Sequence, residues 1–454
     1  MAKSYDLIVI GSGTAAMVAS HRMASAGRKV AVADYRPFGG TCALRGCDPK
    51  KMLVTGAQVI DDVRRMTGRG VAADDARIVW RDIIAFKRTF TGPVPEKQEK
   101  RYAEHGIDAY HTQARFVAPN AVELDGGDRL EAQHILISTG ARPAPLGFPG
   151  EEFLITNEKF LELEELPERI VLVGGGYIAA EFSHIAARVG AKVTIIQRGG
   201  HILPHFDADL VGWLMEKFRE IGIDVRTRTS VEGVEKTDRG FLVRARANAD
   251  GGQPVTVEAD LVVHAAGRIP DLDFLDLQAA DVERDQRGHL KLNEFLQSVS
   301  NRAVYAAGDA ARMGPPLTPV SSHDAKAVVR NLLDGNRHRP DYRGIPSVAF
   351  TIPPIASVGL SEQEAREKGL KFCVQSQLVP NWYTARRLAE TVYGFKVLVD
   401  EETDLVIGAH LVGPHVDEVI NLFGLAIRHG LTAEDLKTTM FAYPTGASDI
   451  GYML

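Results

Sequence analysis

The chain has 454 residues, enough for about three domains at roughly 150 residues each. Its 45% hydrophobic and 25% charged residues are ordinary for a globular protein, and a net charge of −6 argues against nucleic acid as a partner. No apolar run approaches the roughly 18 residues of a membrane span, and three cysteines are too few for a disulfide scaffold, so a reducing cytoplasm is expected.

In chain order, "YDLIVIGSGTAAMVASHRMASAGRKVAVAD" (5–34) reads as a buried strand, a glycine turn, a helix and a second strand. The opening apolar run lacks a small-residue cleavage site, so a strand is preferred over a signal peptide. Gly11 permits the turn, Gly13 lets the backbone approach a pyrophosphate, and Ala16 keeps helix and strand close. Phosphate then meets free N–H groups and the positive end of the helix dipole. Asp34 closes the second strand, where a carboxylate accepts hydrogen bonds from a ribose with free hydroxyls.

The next motif, "GGTCALRGCDPKK" (39–51), holds Cys42 and Cys47 behind a glycine pair. Such a pair can bind a metal, form a structural bridge or carry electrons. "HILISTGARP" (134–143) reads as a buried strand that ends at Thr139 and Gly140.

"ERIVLVGGGYIAAEFSHIAARVGAKVTIIQ" (168–197) repeats the first unit 163 residues later. Gly174, Gly176, Ala179, Gly190 and Lys192 fall on Gly11, Gly13, Ala16, Gly27 and Lys29. Two fingerprints in the same strand–turn–helix–strand context argue for two dinucleotide sites. Here the acid is replaced by Gln197, followed by Arg198, a pair that favours a 2′-phosphate and therefore NADPH rather than NADH. A Gly/Asp-rich turn (248–254) precedes "LVVHAAGRIP" (261–270), a strand running into Gly267, and "AVYAAGDAA" (303–311) ends at Gly308 and Asp309. From about residue 342 the pattern becomes β-rich and then helical.

These motifs, in this order over nearly the whole chain, resemble the flavoprotein disulfide reductases, which include glutathione reductase, dihydrolipoamide dehydrogenase and mercuric reductase. The resemblance implies an α/β fold with two Rossmann-like dinucleotide-binding domains and a C-terminal α+β dimerisation domain. Its expected boundaries are 1–148 and 271–341 for FAD binding, 149–270 for NAD(P) binding and 342–454 for homodimer formation. FAD is expected at Gly11, Gly13, Ala16, Asp34, Gly40, Thr41, Thr139, Gly140, Gly308, Asp309 and Thr318. The nicotinamide cofactor is expected at Gly174, Gly176, Tyr177, Ala179, Gln197, Arg198 and Gly267, with Tyr177 covering the nicotinamide pocket.

Against that family, the cysteine pair reads as redox-active. A metal site lacks further soft ligands, since no second cysteine pair or Cys/His cluster is present. Five residues of regular helix separate two side chains by roughly 140°, too far for a bridge, but Gly46 and Pro49 can break that regularity. By resemblance Cys47 lies against the flavin, Cys42 meets the substrate, and Lys50 pairs with Glu181 near the flavin's reactive nitrogen. Cys373 reads as a small buried hydrophobe.

The resemblance breaks at "AYPTGASDI" (442–450). Thiol-disulfide members carry a proton-donating histidine where Tyr443 stands and an orienting glutamate where Ser448 stands. An unperturbed tyrosine has a pKa near 10, a poor match for proton delivery at neutral pH. Mercuric reductase also has tyrosine here, but its extra C-terminal cysteine pair is missing. Asp449 is one residue late for the glutamate, and His323 and His415 are the remaining acids to consider. The expected function is an oxidoreductase passing electrons from NADPH through FAD to the Cys42–Cys47 dithiol. Its acceptor is an unusual disulfide or persulfide, a soft metal ion such as mercuric ion, or a quinone. The alternatives are a dihydrolipoamide dehydrogenase-type component of a 2-oxo-acid complex and a flavin-linked redox sensor.

Overall fold

A parallel sheet with glycine turns at the ends of its strands organises each half of the computed structural model, which describes residues 3–73, 75–248 and 252–454. The chain divides into two units, one formed by 3–50, 86–144 and 268–342, the other by 51–85, 145–267 and 343–454 among the described residues. The centre of the Gly/Asp-rich turn, 249–251, lies outside the described residues.

In the first unit, Lys3–Ile10 pairs in parallel with Val30–Ala33 on one side and Arg129–Ile137 on the other. Val304–Ala306, far along the chain, adds in parallel to Arg129–Ile137. Ile8, Val9, Ala31, Val32, Leu136 and Ile137 are fully or almost fully buried, as strands covered on both faces require. Helix Thr14–Ser25 follows the first glycine turn and buries Ala16 and Ala19 against this sheet.

The second unit contains a four-stranded parallel sheet in the order Asp224–Arg226, Lys192–Ile196, Arg169–Val173, Leu261–His264. Helix Tyr177–Val189 follows its glycine turn. A separate five-stranded antiparallel sheet spans 347–412, and the amphipathic helix Val416–His429 buries Val419, Ile420 and Phe423 in its core. The edge strand of that sheet, Phe372–Leu378, corrects one reading of the sequence: Cys373 is exposed. Alternation along a strand with one open face turns it outward, although its Sγ still approaches Val399 O at 3.6 Å. Among the described residues no helix is long and apolar enough to cross a membrane.

Candidate active site

The first fingerprint is shaped by what glycine lacks. Gly11 has φ of +109°, and a Cβ there would lie 2.4 Å from Ser138 O. Gly40, at φ +72°, would place a Cβ 2.3 Å from Gly13 Cα, so the fingerprint turn and the cysteine segment touch backbone to backbone. Asp34 accepts hydrogen bonds from Ser12 Oγ at 2.6 Å and Arg36 N–H at 2.9 Å, which fix its carboxylate at the end of Val30–Ala33. Thr139 Oγ1 is buried and has no hydrogen-bond partner among the described residues. An orphaned hydroxyl of this kind, beside Gly140 at φ +72°, fits a polar ligand that completes it. Gly308 N–H donates to Asp324 Oδ2 at 3.1 Å, and burial pushes the neighbouring Asp309 carboxyl up, with Arg268 pulling it down. A glycine cradle, a fixed acid and an orphaned hydroxyl match what a dinucleotide such as FAD requires.

The cysteine segment is not one helix. Gly40–Arg45 ends at Gly46, whose φ of −144° is far from helical, and Cys47 opens the 20-residue helix Cys47–Met66. Cys42 thus belongs to one helix and Cys47 to the first residue of the next. Both are free thiols, Cys42 half-buried and Cys47 exposed in the single chain. Cys47 is held down to about 6, first by a hydrogen bond with Cys42 and then by the Thr318 hydroxyl and the Lys50 charge, against partial burial and Asp48. Cys42 is pushed up, first by that same hydrogen bond and then by burial. Thr318 Oγ1 lies 3.4 Å from Cys47 Sγ, a contact invisible in the sequence. Cys47 is therefore the thiolate of the pair near neutral pH, with its position at a helix N-terminus acting in the same sense.

The second fingerprint repeats the first in its own unit. Gly174 has φ of +106°, and a Cβ there would lie 2.4 Å from Ala265 O, whereas one on Gly176 would meet nothing closer than 3.9 Å. Ala179 is fully buried, and Tyr177 opens the helix with its ring 5.5 Å from that of Phe206. Burial raises the Tyr177 phenol, opposed by a hydrogen bond to Ser347. Gln197 packs over Gly175, 3.0 Å from where its Cβ would be, and donates to His201 O at 3.3 Å. Arg198 is exposed, and Gly267 turns the chain at φ +108°. Glu181 is buried and accepts Phe350 N–H at 2.9 Å; it belongs to the second unit, Lys50 to the first.

The C-terminal segment carries no acid for Tyr443. That side chain is 82% exposed, and Asp449 does not orient it: its Oδ2 accepts from Tyr393 OH at 2.8 Å. Ser448 Oγ donates to Thr445 O at 2.6 Å. The substitute histidines are acceptors. His323 Nε2 receives Asp341 N–H at 2.8 Å, and His415 Nε2 lies 3.0 Å from Arg387 Nη2, a group that can only donate.

Comparisons with known proteins agree with this architecture. A family profile described as pyridine nucleotide-disulphide oxidoreductase matches residues 5–325, and that of its dimerisation domain matches 345–453. The chain is 32% identical over 454 residues to mercuric reductase of Staphylococcus aureus, covering 98% of this chain and 81% of the relative. It is 32% identical over 446 residues to glutathione reductase of Burkholderia cepacia, with 98% and 97% covered. A solved Escherichia coli structure, the Cu(II) complex of the HOCl-induced flavoprotein disulfide reductase RclA, aligns with a TM-score of 0.88 at 26% identity. That alignment covers 100% of this chain and 99% of the other. With both profiles and these relatives spanning it, the chain belongs to the pyridine nucleotide-disulphide oxidoreductase family and is an FAD-containing, NAD(P)H-dependent oxidoreductase.

Proposed function

We propose that the chain reduces a soft, thiophilic metal ion with electrons from NADPH, through FAD and the Cys42–Cys47 dithiol. The observation that carries this reading is the Cys42–Cys47 dithiol beside a C-terminal segment whose Asp449 is taken by Tyr393 OH, with His323 and His415 each engaged as an acceptor through Nε2. FAD, when bound, takes a hydride from the nicotinamide and delivers an electron pair to a disulfide. Gly11, Gly13, Ala16, Gly40, Thr41 and Gly140 would hold its pyrophosphate side, Asp34 its ribose, and Thr139, Asp309 and Thr318 its remaining polar groups. Gly174, Gly176, Ala179 and Gly267 would hold NADPH, with Tyr177 over the nicotinamide and Gln197 and Arg198 at the ribose.

Cys47 acts as the thiolate and Cys42 as the thiol that first meets the acceptor. A disulfide substrate releases a thiolate that must be protonated, and Tyr443 has no orienting acid for that task. A soft metal ion instead replaces the Cys42 proton and takes both sulfurs as ligands, so no leaving thiol waits for a proton. The 32% identity to a protein named mercuric reductase and the solved Cu(II) complex of RclA support this substrate class. A homodimer is proposed from the matched dimerisation domain, with Met440 (97% exposed) and Tyr443 on a face that a second copy would cover. A reducing cytoplasm suits a dithiol that must be free to cycle.

The test is anaerobic NADPH oxidation by the FAD-loaded protein against mercuric ion, cupric ion, glutathione disulfide, lipoamide and a quinone. Turnover with a metal ion at least tenfold above the others supports the reading. Fast disulfide, lipoamide or quinone turnover refutes it, and no steady turnover with any acceptor favours a redox sensor.

A further inference from the structure

Arg228 occupies the turn between strands Asp224–Arg226 and Thr229–Thr237 with φ of +51°, a region that bulky L-residues seldom adopt. The conformation is held from both sides. Arg228 N–H donates to Gly199 O at 2.8 Å, and Arg228 O accepts Asn248 N–H at 2.7 Å. The Asn248 side chain reaches across to Arg198, its Nδ2 donating to Arg198 O at 2.8 Å. Thr229 N–H closes the knot on Gln197 O at 3.0 Å. Residues 197–199, 228–229 and 248 therefore form one hydrogen-bonded patch beyond the end of strand Lys192–Ile196.

The guanidinium of Arg228 lies along the Gly199–Gly200 turn: a Cβ on Gly200 would be 3.8 Å from Arg228 Nε. Among the described residues neither Arg198 nor Arg228 forms an ion pair, whereas Arg226, two residues earlier, is paired with Asp224 at 2.7 Å. Two exposed guanidinium groups on one hydrogen-bonded patch, with no ion pair among the described residues, suit an anion that joins them. The partner that fits is a compact dianion, because a phosphomonoester offers several oxygens to two planar forks.

We propose that Arg228 is a specificity-determining residue that clamps the 2′-phosphate of NADPH together with Arg198. The proposal rests on the reading of NADPH as electron donor and adds a residue 30 positions from the fingerprint's own arginine. Asn248 positions Arg198, and the left-handed backbone positions Arg228.

Calorimetry on the FAD-loaded protein, with adenosine 2′-monophosphate and adenosine 5′-monophosphate as probes, separates the two claims. The unmodified protein should bind the 2′ form at least tenfold more tightly, with a preference that falls as salt rises. Arg228→Gly suits the φ of this position, so its melting temperature should not fall, yet the preference should drop by roughly tenfold. Arg226→Ala should keep the preference, and Arg228→Lys should keep more of it than Arg228→Gly. If Arg228→Gly leaves the preference intact while Arg198→Ala removes it, the clamp is refuted and the donor reading stands. A loss of preference in Arg228→Gly accompanied by a fall in its melting temperature would assign Arg228 a structural role and overturn the proposal. An unmodified protein that binds both probes equally overturns the donor reading and the clamp together.

Discussion

Thr318 Oγ1 stands 3.4 Å from Cys47 Sγ, and each is the first residue of its helix, Thr318–Asp334 and Cys47–Met66. The hydroxyl and the helix N-terminus around Cys47 both favour the thiolate, which sets the pH at which the dithiol becomes a nucleophile. Removing the hydroxyl should therefore be read in a titration before it is read in turnover.

Cys47 is a thiol below its value of about 6 and a thiolate above it. Alkylation of the reduced protein by iodoacetamide should accordingly rise through about pH 6 and level off by pH 8. Thr318→Val removes a hydrogen bond to a charged sulfur, worth about 1.5 kcal/mol, and should move the midpoint upward by about one pH unit. A midpoint unchanged in Thr318→Val would mean that the contact does not stabilise the thiolate.

Glutathione disulfide and lipoamide should turn over slowly, since general acid catalysis contributes about 10²–10⁴-fold and Tyr443 has no acid to orient it. The double variant Tyr443→His with Ser448→Glu should raise those rates by at least tenfold. Stopped-flow reduction of the loaded protein by NADPH should be unaffected by the same changes. Disulfide rates in the hundreds per second before any change would contradict the assignment.

Asp324 is fully buried, and burial pushes its carboxyl up to about 6 while Tyr342 OH and Gly308 N–H hydrogen bonds pull it down. The unfolded chain titrates this group near 3.9, so the folded state holds the extra proton between those values. Its contribution to stability is full below about pH 4 and is lost as pH rises through about 6, a swing of order 2–3 kcal/mol. Asp324→Asn, which does not titrate, should lose less stability than the unmodified protein between pH 4.5 and 7.5. Calorimetric melting at both pH values checks this, and parallel losses would refute it.

Arg188 is 1% exposed and bonds Asp61 Oδ1 at 2.7 and 3.0 Å and Ile352 O at 3.0 Å. Burial lowers the Arg188 guanidinium, with Asp61 opposing the shift. Arg188→Leu would leave the Asp61 carboxylate to Arg65 alone, at 2.7 Å, and should cost about 1.5–3 kcal/mol. The exposed Arg81–Glu165 pair, at 3.3 Å, should cost under about 1 kcal/mol when Arg81 is replaced by alanine. Urea unfolding of both variants makes the comparison, and equal losses would count against a special role for the buried pair.

The two glycine fingerprints were legible because their geometry is local. A turn that needs φ near +109° at Gly11 and +106° at Gly174 leaves its mark within a few residues. The strand–turn–helix–strand units around them follow from the same short-range pattern. Contacts made by distant segments left no such mark. Nothing around Thr318 announces Cys47, 271 residues away, and nothing in "SSHDAK" announces that Asp324 holds Gly308 N–H. Asp449 is one residue from the position that would orient Tyr443, yet Tyr393, 56 residues earlier and just before strand Gly394–Asp400, claims it. Cys373 was misread because burial was inferred from residue type, whereas an edge strand exposes alternate positions whatever they carry.

Gly40 and Gly13 meet with no side chain between them. Two such backbones have no rotamer to flip and no methyl to compress, so they transmit displacement as a rigid couple. A ligand that pressed the fingerprint turn toward Gly40 would therefore press on the start of helix Gly40–Arg45, which carries Cys42. The first sulfur is thereby geared to the cradle, while the break at Gly46 leaves Cys47 on a separate shaft. Pressure on the cradle would reach the first sulfur through backbone alone, with no side chain to relay it.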